Sequence, residues 1–172
     1  MSIKEDAQRA HANLLKVTDP EVLERINHFA FDEVQADVDL PDRTKMLSTL
    51  AYLLGMQGKE EYEVMLSVAL DNGVSPVEAK EILYQAVDYL GLGRVFPFFK
   101  ITNDILTKRG VELPLAGQAT TTLDNRLEKG EETQMRLFGP QMKDFSKKGT
   151  INKWLVDNCF GDYYTRKGLD DN

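Results

Sequence analysis

The sequence predicts an all-α helical bundle, and three observations carry that prediction. Apolar residues recur at spacings of three and four through Arg43–Arg109. Glycines, among them Gly55, Gly58, Gly73, Gly91 and Gly93, punctuate those stripes at helix-length intervals. Ser75-Pro76-Val77-Glu78 has the pattern of a capping box, in which hydroxyl and carboxylate each satisfy a free amide. The 172 residues suffice for one domain with a core, or one domain and part of a second.

In chain order, an amphipathic segment runs from about Lys4 to Lys16, with Ala10, Leu14 and Leu15 on one side. Thr18-Asp19-Pro20-Glu21 reads as a helix start, with an oxygen-bearing cap, an opening Pro and an early acid. The helix behind it carries Val22, Leu23, Ile26, Phe29 and Ala30. Phe31–Asp42 reads as an extended connector, without a helical stripe and with Pro41 inside it. Met46, Leu47, Leu50, Ala51 and Leu54 stripe the next helix, and Tyr62, Met65, Leu66 and Ala69 the one from about Lys59 to Asp71. The capping box then opens a helix that buries Ala79, Ile82, Leu83, Ala86, Val87 and Leu90. A last helix, about Arg94–Lys108, contains Pro97, which must sit in its first turn or kink it.

The chain divides at about residue 110 into this helical domain, 1–110, and a second part, 111–172. Val111–Thr122 is a Pro/Gly/Thr connector, and Leu123–Phe138 a charged helix with Leu127, Met135 and Phe138 as contacts. The tail is basic, then aromatic at Trp154, Phe160, Tyr163 and Tyr164. An internal echo links the two parts. At an offset of 129 (160 − 31), Phe31 faces Phe160, Leu40 faces Leu169 and Asp42 faces Asp171. The echo suggests that a second repeat opens near Ile151 with its lead-in alone; the plainer reading is two similar helix-exit turns. The aromatic residues of the tail must fold back on the first repeat or dock on a neighbour.

Charge and composition exclude several function classes. The formal charge of −7 offers no basic stripe for nucleic acid. No stretch approaches the roughly 20 apolar residues of a membrane helix. The opening MSIKEDAQRAHANLLK lacks the apolar run of a secretory signal. One cysteine, Cys159, permits neither an internal disulfide nor a Cys-only metal cage, and suits a reducing, cytoplasmic setting. Nothing in the sequence calls for a cofactor.

STLAYLLG at Ser48–Gly55, ALDNGVSPVEAKEIL at Ala69–Leu83 and the Tyr89-Leu90-Gly91 turn resemble a repeat of the carboxymuconolactone decarboxylase family. CFGDYYTRKGLD, Cys159–Asp170, resembles the lead-in that precedes such repeats. The resemblance implies the alkylhydroperoxidase AhpD-like fold, one full repeat plus the lead-in of a second, and homo-oligomers, trimers or hexamers. It also implies a site at the start of the Lys59 helix. There the peroxidase branch carries Cys-x-x-Cys, a His four residues later and an upstream Glu. Without gaps, the cysteine positions fall on Gly58 and Glu61, the His on Met65 and the upstream Glu on Met46. Glu61 alone remains ionisable, so it is the candidate catalytic residue: a general base desolvated by Met46 and Met65. Its simpler role is beside Glu60 and Glu63 at the positive end of a helix.

The other candidates read as structural. His11 and His28 match no family position and read as surface or satisfied residues. Arg94 could meet a substrate carboxylate or close a salt bridge at its helix start. Cys159 reads as a buried hydrophobe. Three functions follow from the resemblance: proton transfer on a small cyclic or unsaturated carboxylate; a non-catalytic ligand-binding or scaffold repeat; and a thiol peroxidase, against which the missing Cys pair argues.

Overall fold

The computed structural model describes residues 3–11 and 15–170, and among these every regular element is helical. Leu14 and Asp171 lie outside the described residues, as does the side chain of Ala10. The core is a four-helix bundle of α5 (Asp42–Gly55), α6 (Lys59–Asp71), α7 (Pro76–Leu90) and α8 (Leu92–Lys108). Their stripes meet as the spacing requires, burying Leu50, Leu54, Leu66, Ala79, Leu83, Phe98 and Leu106. Tyr62 is fully buried, edge-on to Phe98 at 5.0 Å, and its hydroxyl pairs with that of Thr102 at 3.0 Å. The capping box closes as expected: the Ser75 amide donates to Glu78 at 2.7 Å, and the Glu78 amide to the Ser75 hydroxyl at 3.2 Å. Pro97 lies in the second turn of α8 rather than its first. Having no N–H, it leaves the Gly93 carbonyl without a helical partner.

Ahead of the bundle, α1 (Ile3–His11) lies antiparallel to α6 and buries Ile3 and Ala7 in the common core. Asp6, itself buried, accepts from Asn72 at 3.0 Å and from Arg9 at 2.8 Å. After α2 (Leu15–Thr18), α3 (Pro20–Asn27) starts where the Asp-Pro signal puts it, though the Asp19 side chain makes no capping bond.

The expected extended connector is mostly helical. A π-helical segment, His28–Val34, continues α3 and passes into α4 (Gln35–Asp37), and the chain becomes extended only at Val38. Phe31, Val34 and Val38 are in fact spaced by three and four, and they face one cavity.

The second part wraps back on the first. α9 (Arg126–Phe138) crosses a second π-helical segment, Val156–Gly161, which continues α10 (Thr150–Leu155). The backbones touch at two glycines: a Cβ on Gly130 would overlap the Val156 carbonyl, and one on Gly161 the Arg126 carbonyl. The buried face of α9 is consequently Gly130, Thr133 and Gln134. The expected contacts Leu127 and Met135 are only half-buried, and Phe138 is half exposed, because so close a crossing leaves no room for large side chains. Phe160 is buried, with Phe138 at 5.8 Å and Tyr164 at 5.1 Å.

From there the tail runs along α7. Gln85 donates to the Tyr163 carbonyl at 2.8 Å, and Leu169 packs against the core, lining one pocket with Leu54, Ile82 and Leu90. Arg166 forks onto Glu81 at 2.7 and 2.8 Å, with its guanidinium over the Tyr84 ring. The connector clamps it: the Lys167 amide donates to the Gln118 carbonyl, and the Thr120 hydroxyl to that of Thr165. Trp154, by contrast, stays largely exposed on α10.

Candidate functional site

The chain turns at Gly58, and α6 begins with Lys59-Glu60-Glu61, placing two carboxylates where unpaired amides give the helix its positive end. α1 runs antiparallel to α6, which brings His11 beside this point. The positive end of α6 favours a carboxylate. The two side chains meet: His11 Nε2 lies 2.8 Å from one Glu61 oxygen and 2.9 Å from the other. The imidazole is largely buried while the carboxylate is 46% exposed, so Met46 and Met65 desolvate Glu61 only in part. The hydrogen bond that His11 donates to Glu61 raises the imidazole pKa above its ordinary value. Burial opposes the shift, while the Glu61 charge and the nearby Ala7 carbonyl add to it. His11 Nδ1 is buried and makes no hydrogen bond of good geometry.

This pair stands on the wall of a cavity of about 480 Å³, within the usual range for small-molecule sites. The π-helical segment supplies one wall through Phe29, Phe31 and Val34, with Val38 and Leu40 beyond it. α5 supplies the other through Lys45, Met46, Ser48, Thr49 and Tyr52, at helical spacing. Met65 stands one turn beyond Glu61, at the position where the resemblance implies a histidine.

Sequence reasoning therefore placed Glu61, Met46 and Met65 together, and the structure does the same. His11, read as a surface or satisfied residue, is largely buried and takes its partner from α6 rather than from its own helix. The signal was present: Ile3, Ala7 and His11 recur every four residues, so His11 extends the buried stripe of α1. Arg94 is exposed and does not line the cavity. His28 is exposed too and meets Glu33 at 2.9 Å. Cys159 is buried beside Asp88, away from the cavity. Burial first, then the Asp88 charge, push its thiol up to about 12, so it carries almost no thiolate at neutral pH. Among the described residues no three His, Cys, Asp or Glu side chains gather as metal ligands, and no helix is long and apolar enough to cross a membrane.

The model of the carboxymuconolactone decarboxylase family matches residues 20–104, from the first residue of α3 into α8. A 4-carboxymuconolactone decarboxylase of Acinetobacter baylyi is 36% identical over 67 residues, 39% of this chain and 50% of that protein. The chain thus spans about half the length of that curated relative. No solved structure matches. The matched segment contains Glu61 and both cavity walls, and α1, which supplies His11, lies outside it. Through residues 20–104 the chain belongs to the carboxymuconolactone decarboxylase family.

Proposed function

We propose that this protein catalyses proton transfer at carbon on a small unsaturated carboxylate, in the manner of a decarboxylase, with His11 and Glu61 as the proton-handling pair. The observation that carries this reading is the bidentate contact of His11 Nε2 with both Glu61 oxygens on the wall of an apolar cavity. It restores a His–carboxylate pair to a helix whose own histidine position is Met65. The proposed step needs no metal or organic cofactor. The C–CO₂ bond breaks, its electron pair passes into the conjugated carbon framework, and CO₂ leaves. The imidazolium of His11 then protonates that carbon and is reprotonated from solvent, while Glu61 orients it and stabilises its charge. The apolar walls favour this route, because the carboxylate loses negative charge as CO₂ departs.

The test is CO₂ release from 4-carboxymuconolactone and related unsaturated cyclic acids. Glu61→Gln and His11→Gln should each lower turnover about 10²–10⁴-fold. The double variant should be no worse than the poorer single one, as expected of residues acting as a unit. Turnover indifferent to both changes would overturn the reading, leaving the pair as a link between helix ends. Peroxide reduction that depends on Cys159 would favour thiol chemistry instead.

The active form we propose is a homo-oligomer. Supporting this are Ile151, Trp154 and Leu155, which the backfolded tail leaves exposed on α10. Light scattering of the intact chain and of Trp154→Glu tests it, and a monomeric mass for the intact chain refutes it.

A further inference from the structure

We infer that a second cavity, separate from that of Glu61, binds a small carboxylate with an apolar body, and that Lys80 holds the carboxylate group. The site joins the helical bundle to the backfolded tail, and it shares no lining residue with the cavity of His11 and Glu61.

The cavity, of about 300 Å³, lies where the connector passes over α7 and α8. α7 supplies Val77, Lys80, Glu81 and Tyr84, whose spacing of three and four puts them on one face. α8 supplies Asn103, the connector closes the space with Leu113–Gln118, and the tail adds Arg166. These walls are tied to one another. Arg166 forks onto Glu81 at 2.7 and 2.8 Å, and the Lys167 amide donates to the Gln118 carbonyl at 3.1 Å. The site is thus built from three stretches of chain that meet only on folding.

Lys80 is the charge that this cavity leaves unanswered. Arg166 takes both oxygens of Glu81, so that pair is neutral in itself. The Lys80 ammonium group donates to Asn103 Oδ1 at 2.7 Å and lies 5.1 Å from the centre of the Phe99 ring, and neither partner is charged. Burial lowers its pKa, and no neighbouring carboxylate among the described residues offsets that shift. An ammonium group has three donors, and Asn103 takes one. A ligand carboxylate would accept from the others and supply the missing charge. The Asn103 amide N–H groups and Nη1 of Arg166 make no hydrogen bond among the described residues, which leaves further donors on the lining. A phosphate ester carries close to two charges, and one free ammonium group would leave the second unpaired. The rest of the lining, Val77, Leu113, Pro114 and Leu115, is apolar and suits a ring or a short chain.

Titration of the intact chain with benzoate, benzamide and inorganic phosphate tests this, followed by NMR at the Gly117 amide and the Asn103 side-chain amide. Both groups belong to this cavity, and neither lines the one at Glu61. Benzoate should shift both resonances to saturation, with benzamide and phosphate each weaker by about 10-fold or more. Lys80→Met keeps the stem and should weaken benzoate by about 10- to 100-fold while leaving benzamide unchanged. Lys80→Arg should recover most of that loss. Equal affinity for benzoate and benzamide, or indifference to Lys80→Met, would overturn the assignment. So would benzoate shifts confined to the residues around Glu61, or phosphate binding more tightly than benzoate. The comparison of benzoate with benzamide uses the unaltered chain, so it stands whether or not a variant folds.

Discussion

The two π-helical segments share a sequence signal and differ in what covers them. His28–Val34 and Val156–Gly161 sit at nearly the same register of the echo, with Phe31 and Phe160 at matched positions. In the first, the wide turn leaves Phe29 largely exposed and turns Phe31 and Val34 towards the cavity of Glu61. In the second, α9 crosses directly over the turn and Phe160 is buried between Phe138 and Tyr164. One residue marks the divergence. Asp32, which pairs with Lys4 at the surface, corresponds to Gly161 (161 − 32 = 129), where a side chain would strike the α9 backbone. The turn is common to both segments, and the absence of a Cβ at Gly161, where Asp32 stands in the first, is what lets α9 close over the second.

The covered copy should be the more fragile when its attachment is cut. Arg166 and Glu81 hold the tail to α7 with side chains 13% and 3% exposed, and the Glu81 carboxylate has both oxygens on the guanidinium. Arg166→Met keeps the stem and removes the charge, which strands a buried carboxylate. We expect a loss of about 3–5 kcal/mol by denaturant unfolding. Replacing Arg166 and Glu81 together with Met and Leu should recover much of it, since a buried pair stabilises little beyond its apolar equivalent. A double variant as unstable as the single one would mean that Arg166 acts through Tyr84 rather than through Glu81.

The matched positions sharpen the comparison directly. Gly161→Ala must push two backbones apart, so we expect a loss of about 1–3 kcal/mol. Asp32→Ala, at the same register of the open copy, removes one surface ion pair with Lys4 and should cost under about 1 kcal/mol. Equal effects in thermal unfolding would show that the crossing at α9 is loose and that the two segments differ less than their packing indicates.

The helices of the bundle were legible because each carries its own evidence: a stripe, a stop and, at Ser75, a cap. Glu61 was legible for the same reason, as part of a local pattern. The π-helical wall was misread because Pro41 and the acids between Phe31 and Asp42 obscured the spacing of Phe31, Val34 and Val38. The buried face of α9 escaped because Gly130 is conspicuous only beside the backbone it touches. His11 escaped because its partner is fifty residues away (61 − 11). No local window holds both, and only the packing of α1 on α6 brings them together.

The smallest effect tests that junction. The folded chain holds the His11 proton more tightly than the unfolded chain, whose imidazole titrates near 6.5. The contribution of His11 to stability is therefore complete below pH 6.5 and is lost as the pH rises through the higher folded value. With Glu61 half exposed, the pair should be worth about 1 kcal/mol. Denaturant unfolding of the parent chain should show that decline on the alkaline side of 6.5, and His11→Gln should flatten it. Glu61→Gln should flatten it too and should return the His11 ring titration, followed by NMR, towards its ordinary value. An alkaline decline that survives His11→Gln would place the titrating group elsewhere. It would also leave α1 held by Ile3, Ala7, Asp6 and the Lys4–Asp32 pair, with the histidine free to move its proton at no structural cost.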